Sequence, residues 1–160
     1  MNVKVTIERQ PASAAADCGA EGCGLLLTRL ARAANRSLAV ALDELGLRAV
    51  QFGVLHQLAD AGPASQADLA AGLRVHASNL VGVLDEMEGD GLISRQRDPR
   101  DRRRQVVLLT AAGATMLRRA ERAAAQTEAE LLTSLDATER AQLRSLLGRV
   151  ASHACARGCG

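Results

Sequence analysis

Aromatic side chains are almost missing from this sequence. It has no Trp, no Tyr and one Phe, Phe52, among 160 residues. A core without them is filled by smaller residues, and Ala and Leu dominate an apolar share of 48%. Ala, Leu, Arg and Glu lose little freedom in a helix, so a chain rich in them favours helices. Few large side chains also mean a thin core per chain, which points to burial shared between subunits along long helices. No run approaches the roughly 20 apolar residues of a membrane span. The first residues, MNVKVTIERQ, lack the apolar stretch of a signal peptide. The expectation is a cytoplasmic protein with reduced thiols and no membrane partner. A Ser/His/Asp constellation, a phosphate loop and an H-E-x-x-H pattern are also missing, which argues against an enzyme.

Charge is present but unevenly spread. The formal net charge is only +2, yet Arg95 to Arg104 reads RQRDPRDRRR, six Arg against two Asp, a local net of +4. A concentrated basic patch on a near-neutral body is an electrostatic footprint for a polyanion.

The length fits one domain, or one unit of two subdomains. Val3, Val5 and Ile7 alternate with polar residues and suggest a short strand or extended arm. Pro11 and the small residues up to Gly24 read as a lead-in. A helix over about 25–45 carries Leu27, Leu30, Ala34, Leu38, Ala41 and Leu45 on one face, and Gly46 can stop it. A second helix spans about 48–61, with Phe52, Leu55 and Leu58 inward, and ends at Gly62-Pro63. Ser65-x-x-Asp68 resembles a capping box opening a short helix with Leu69, Ala70 and Leu73 on its apolar face. The next helix runs from near His76 to about Asp90, burying Leu80, Val83, Leu84 and Met87, with Gly91 as its left-handed terminator. Residues 93–97 and 105–109 look like strands joined by the turn DPRDRRR. Thr110 can cap a helix over about 111–135, with Leu117, Ala120, Ala124, Thr127 and Leu131 on one face. Asp136-x-x-Glu139 opens a last helix with Leu143, Leu146, Leu147 and Val150 inward.

The order helix, short turn, helix, hairpin carries the function. Two short helices joined by a tight turn can set the second in a DNA major groove. Its first turn offers His76, Ser78 and Asn79, and Asn can pair bidentately with adenine. Ser65 and Gln66 open the supporting helix and join the candidate contacts. Asp85, Glu86, Glu88 and Asp90 would repel phosphate, so they should face away from the duplex and leave only the helix N-terminal end for the groove. The hairpin supplies Arg95 and Arg97 on its first strand and Arg100, Arg102, Arg103 and Arg104 at its tip. Arg is favoured in a narrow minor groove, where the negative potential is deepest. Asp98 and Asp101 can hold chosen arginines in register.

The run DGLISRQRDPRDRRRQVVLLTAAG resembles the wing and following helix of the MarR family. The resemblance rests on Gly91-Leu92-Ile93-x-Arg95, Asp98-Pro99-x-Asp101-Arg102-Arg103, Leu108 to Thr110, and Gly113. The helix order extends it over about 25–154. It implies a mainly α fold with a small β-hairpin wing, a winged helix-turn-helix over 48–110. The helices of 25–47 and 111–160 would form an intertwined dimerisation region, with 1–24 as a lead-in outside the resemblance. It further implies a homodimeric regulator, usually a repressor, on pseudo-palindromic double-stranded DNA. Two recognition helices would lie about 34 Å apart, one turn of DNA. Many such proteins release DNA when a small anionic or phenolic ligand, a metal or an oxidant acts on the dimer.

The four cysteines lie outside that pattern. Cys18 and Cys23 sit in CGAEGC near the start, and Cys155 and Cys159 in CARGC near the end. In the implied fold both ends converge on the dimerisation region, so the pairs can meet. Three readings stand: a thiolate-bound zinc, Cu(I) or iron–sulfur cluster, a disulfide switch, or incidental thiols on flexible tails. C-x4-C and C-x3-C are looser than the C-x2-C of common zinc sites. His56 is more simply a helix histidine than a ligand. The rival function is a metal- or thiol-handling protein whose DNA binding is vestigial, and the intact wing argues against it.

Overall fold

The structure is a computed structural model that describes residues 22–97 and 105–157, with the side chains of 154–157 excluded. The N-terminal arm, the hairpin tip and Cys18 and Cys159 therefore lie outside the described residues. Among those described, six helices flank one two-stranded sheet: α1 (Cys23–Asp43), α2 (Ala49–Ala61), α3 (Gln66–Leu73), α4 (Ala77–Gly89), β1 (Ile93–Arg97), β2 (Gln105–Leu109), α5 (Ala111–Leu131) and α6 (Ala137–Arg157). Contacts divide the chain into Met1–Ala33 and Ala34–Gly160. The described part of the first unit is the N-terminal half of α1, whose Leu25, Leu27 and Leu30 are exposed. The second unit holds everything else. No described helix is long and apolar enough to cross a membrane.

Helix ends follow the caps that the sequence suggests. Ser65 accepts from the Asp68 amide at 3.2 Å, and the Asp68 carboxylate accepts from the Ser65 amide at 3.2 Å, a reciprocal box in which Asp replaces the usual Glu. Asp136 and Glu139 do the same at the start of α6, both at 2.9 Å. At the end of α1 the Leu47 amide reaches the Leu42 carbonyl, and the Gly46 amide reaches that of Asp43. The end of α4 repeats the pattern, Leu92 to Met87 and Gly91 to Glu88. These are Schellman turns, in which a left-handed residue lets two orphan carbonyls be satisfied. Gly46 (φ +68) and Gly91 (φ +70) supply that conformation. Helix α5 stops at Leu131, short of the expected 135. There the Thr133 hydroxyl bonds back to Ala129 and Glu130 carbonyls, and the chain turns through Leu135 into the Asp136 box.

The core gathers where α2, α4, the sheet and α5 meet. Leu42, Val54, Leu55, Leu69, Leu80, Leu84, Met87 and Ile93 are its largest fully buried side chains. All four apolar residues expected inward on α4 are buried. On α1, which ends at Asp43 rather than near 45, the periodicity is off by one step: Leu38 is half-buried, as is Leu45 in the turn beyond, and Leu42 is the residue fully enclosed. On α6 the expected inward face has little to pack against in one chain. Leu143 is half-buried, but Leu146 and Val150 stay 55% and 57% exposed and Leu147 is exposed too.

The hairpin pairs antiparallel, with Ile93 opposite Leu109 and Arg97 opposite Gln105. A third partner joins it: Ala64 and Val107 exchange two backbone bonds, at 3.2 and 2.8 Å. The segment before α3 is thereby tied to the wing. At the other end of β2, Thr110 caps α5 by accepting from the Gly113 amide at 2.9 Å, and its hydroxyl hydrogen points to the carbonyls of Gly91 and Leu92. Gly113 lies so close that a Cβ there would meet the Leu92 carbonyl oxygen. Gly113→Ala should therefore destabilise by about 2–3 kcal/mol through overpacking. Gly82→Ala, on an open helix surface with nothing near its Cβ position, should stabilise by about 0.5–1 kcal/mol. Urea unfolding should show the two midpoints moving in opposite directions.

Candidate nucleic-acid interface

Helix α4 is buried on one side and open on the other. Its first turn, Ala77, Ser78 and Asn79, is exposed, as is the N-cap residue His76. The His76 side chain makes no capping bond, and the Asn79 amide reaches back to the His76 carbonyl at 3.0 Å. Among the described residues no hydrogen bond engages the side chains of Ser78 or Asn79, so both are open to an outside partner. Amide groups at an uncapped helix N-terminus favour anions, so this end of α4 suits phosphate as well as base edges.

Residues of the supporting helix are more committed. The Ser65 hydroxyl donates to Asp68 Oδ2 at 2.6 Å and accepts from the Asp68 amide. Its one proton is used inside the cap, which makes it chiefly a helix starter. Gln66 Nε2 donates to the Ala77 carbonyl at 3.1 Å. That bond ties the start of α3 to the first turn of α4, so Gln66 orients the helix end and leaves its carbonyl oxygen to accept.

The acidic half of α4 is held by two arginines. Strand alternation puts Arg95 on the same sheet face as buried Ile93, and that face packs on α4. Arg95 Nη1 lies 2.6 Å from Asp85 Oδ1 and 2.9 Å from Glu88 Oε2. The Arg95 backbone amide donates to Glu88 Oε1 at 3.0 Å. Its side chain is only 18% exposed. Arg95 was expected among the groups reaching DNA; here its charge is spent inside the chain, bracing β1 against α4. Glu86 pairs in the same way with Arg48, the N-cap residue of α2. Nothing in the local sequence around Arg48 marks this role, since its partner lies 38 residues away. Of the four carboxylates expected to turn from a duplex, Asp85, Glu86 and Glu88 are thus neutralised by contact.

Arg97 is exposed at the end of β1 with no partner among the described residues. Arg100, Arg102, Arg103 and Arg104 lie outside the described residues, in the connection that β1 and β2 flank. The strand pairing brings Arg97 and Gln105 face to face at the last described position of the ladder. Among the described residues no group of three His, Cys, Asp or Glu can hold a metal ion. Cys23 is an exposed free thiol at the first position of α1, and Cys155 lies within α6.

The brace has a measurable signature. Arg95→Ala should lower stability by about 1–2 kcal/mol, allowing for partial solvent screening. A double-mutant cycle with Glu88→Gln should return a coupling energy of the same sign and of roughly 0.5–1 kcal/mol. A variant that keeps full stability would return Arg95 to the list of DNA-facing groups.

Comparison with known proteins matches this geometry to a family. The MarR family model matches residues 47–104, from the start of α2 through the hairpin connection. The repressor NicR of Pseudomonas putida is 34% identical over 104 residues, which are 65% of this chain and 66% of that protein. The match thus spans just under two thirds of that relative's length. Wild-type MarR of E. coli in its apo form superposes with a TM-score of 0.75 at 30% identity, covering 81% of this chain and 96% of that one. The transcriptional repressor CouR, bound to a 23-mer DNA duplex, gives a TM-score of 0.69 at 33% identity, over 81% of this chain and 92% of that one. With a shared helix order, hairpin and identity at this level, the chain belongs to the MarR family.

Proposed function

We propose that this protein is a transcriptional repressor that binds double-stranded DNA as a homodimer. The observation that carries the reading is the division of α4. In its N-terminal turn the Ser78 and Asn79 side chains are exposed and have no hydrogen-bond partner among the described residues, while the carboxylates of its C-terminal half are held by Arg95 and Arg48. A helix so arranged approaches a polyanion end-on. Ser78 and Asn79 then face base edges and His76 faces phosphate or base, with Gln66 steadying the turn. Arg97, Arg100, Arg102, Arg103 and Arg104 of the hairpin reach the flanking minor groove. NicR and CouR, both described as repressors, support the direction of regulation, and the DNA-bound CouR supports the partner.

The homodimer rests on apolar surface that one chain leaves uncovered. Leu131, Leu146, Leu147 and Val150 are exposed on α5 and α6. An open cleft of about 360 Å³ between the two helices is lined by Leu132, Leu143, Leu147 and Ala151, with the Arg144–Glu128 pair at its edge. Burying such a face against a second copy supplies the core that a chain poor in aromatics lacks. Two-fold pairing presents two α4 helices to a pseudo-palindrome. A small-molecule or metal effector acting on this dimer is part of the same reading.

Two variants test the DNA contacts on a duplex selected from a random library by the wild-type protein. Asn79→Ala should relax base choice at one position per half-site, by ~1–3 kcal/mol. Arg103→Ala should weaken binding to all sequences alike. Equal losses for Asn79→Ala on selected and random duplex would remove its base-reading role.

The cysteines form the sensing part of the proposal. Cys18, Cys23, Cys155 and Cys159 hold a thiolate-bound zinc, Cu(I) or iron–sulfur centre, and the exposed thiol of Cys23 is a suitable soft donor. Anaerobically purified protein should carry stoichiometric metal by elemental analysis, and lose it in the Cys18→Ser and Cys155→Ser variants. Metal-free protein whose thiols oxidise in pairs would replace the centre with a disulfide switch. Metal-free protein with inert thiols would leave neither.

A further inference from the structure

Three helix ends in this chain close in the same way, and one of them uses an unsuitable residue. After α1 and α4 the left-handed position is glycine, Gly46 and Gly91. After α3 the Val75 amide reaches the Ala70 carbonyl and the Arg74 amide reaches that of Ala71, the same pair of bonds. The left-handed residue here is Arg74, at φ +54 and ψ +41. It is the one non-glycine residue with positive φ among those described. A Cβ at this conformation crowds the backbone, which is why glycine or asparagine is the usual choice.

The turn satisfies two carbonyls and sets Val75 against the core, but among the described residues no contact made by the Arg74 side chain offsets the strain. The Arg74 side chain is exposed and makes no hydrogen bond or ion pair among the described residues. The turn itself would close as well with glycine. Strain held without an internal partner points outward, to a function at that position. Arg74 and Val75 form the turn between Leu73, which ends α3, and His76, which caps α4. They adjoin the exposed first turn of α4, the end of that helix that meets the groove. A duplex whose major groove takes this end runs a phosphodiester backbone past the turn that precedes it. Arginine suits phosphate better than other cations because its planar fork can donate two bonds.

We propose that Arg74 is a phosphate-contacting residue that fixes the register of α4 in the groove, and that its charge is retained at the expense of turn stability. This rests on the DNA-binding reading above and adds a contact outside both the recognition helix and the wing. Phosphate contacts of this kind position a protein without reading sequence.

The test compares wild type, Arg74→Gly, Arg74→Asn and Arg74→Lys on the duplex selected by the wild-type protein. The Gly and Asn variants should melt higher, by about 1–3 °C, as the strain is relieved. Their affinity should fall roughly 5–20-fold near 0.15 M salt. The log–log salt dependence should become shallower by about two units, one for each Arg74 of a dimer. Arg74→Lys keeps charge and strain, so it should keep the wild-type slope and melting temperature. Unchanged affinity and slope in Arg74→Gly, with Asn79→Ala still impaired, would overturn the role of Arg74 and leave DNA binding standing. Lost affinity with an unchanged slope would overturn the phosphate contact. If wild-type protein shows no salt-dependent duplex binding, the DNA-binding reading fails and the role of Arg74 with it.

Discussion

A helix that enters a polyanion cannot carry free carboxylates along its length, and α4 carries Asp85, Glu86 and Glu88 in one stretch. The pairing of Arg95 with Asp85 and Glu88 resolves that conflict. It does two things at once. It removes negative charge from the helix surface, and it fastens the first wing strand to the recognition helix. Because Arg95 is also hydrogen-bonded through its backbone amide, the strand cannot slide along α4 without breaking both kinds of contact. Helix α4 and strand β1 are then one body, and the spacing between the α4 N-terminal end and the first wing strand is set by packed structure. Arg48 extends the same logic to Glu86 from α2.

The rest of the body is built to hold that unit still. The Schellman turn at Gly91 delivers Leu92 and Ile93 into the core, and the Thr110 cap and close approach of Gly113 lock the far end of the hairpin against the same segment. The Ala64–Val107 bridge fixes the entry to α3. Helices α5 and α6 are another matter. Their exposed leucines show where one chain's supply of apolar cover ends, and the scarcity of aromatics in the sequence is the compositional face of the same fact.

Much of this was legible beforehand because it depends on short-range chemistry. The capping boxes at Ser65 and Asp136, the terminating glycines 46 and 91, both strands and the buried stripe of α4 are local patterns, and each has a direct physical cause in adjacent residues. What escaped is long-range or conformational. Arg95 lies two residues from Ile93 on β1 and so shares its face, a signal that it turns inward, but the basic run around it made an outward role the simpler expectation. Arg48 finds its acid through tertiary packing. Ala64 pairs with the wing by backbone groups that any residue carries. Leu42 displaced its neighbours as the enclosed residue of α1, since four-residue spacing permits more than one stripe on a long, Ala-rich helix. Arg74 gives no sign in the sequence, where an arginine after a helix is unremarkable until its φ is known.

The central claim is that this body meets duplex DNA through a few cationic groups while its acids are held in check. The most direct measurement is the affinity of the wild-type protein for the duplex it selects, followed from low to moderate salt. Release of counterions by several arginines makes the logarithm of affinity fall linearly with the logarithm of salt, with a slope of about −0.9 for each phosphate neutralised. A slope steeper than about −4 for the dimer is the expected result. Affinity that is flat across the salt series, or duplex binding no tighter than to a neutral polymer, would contradict the account.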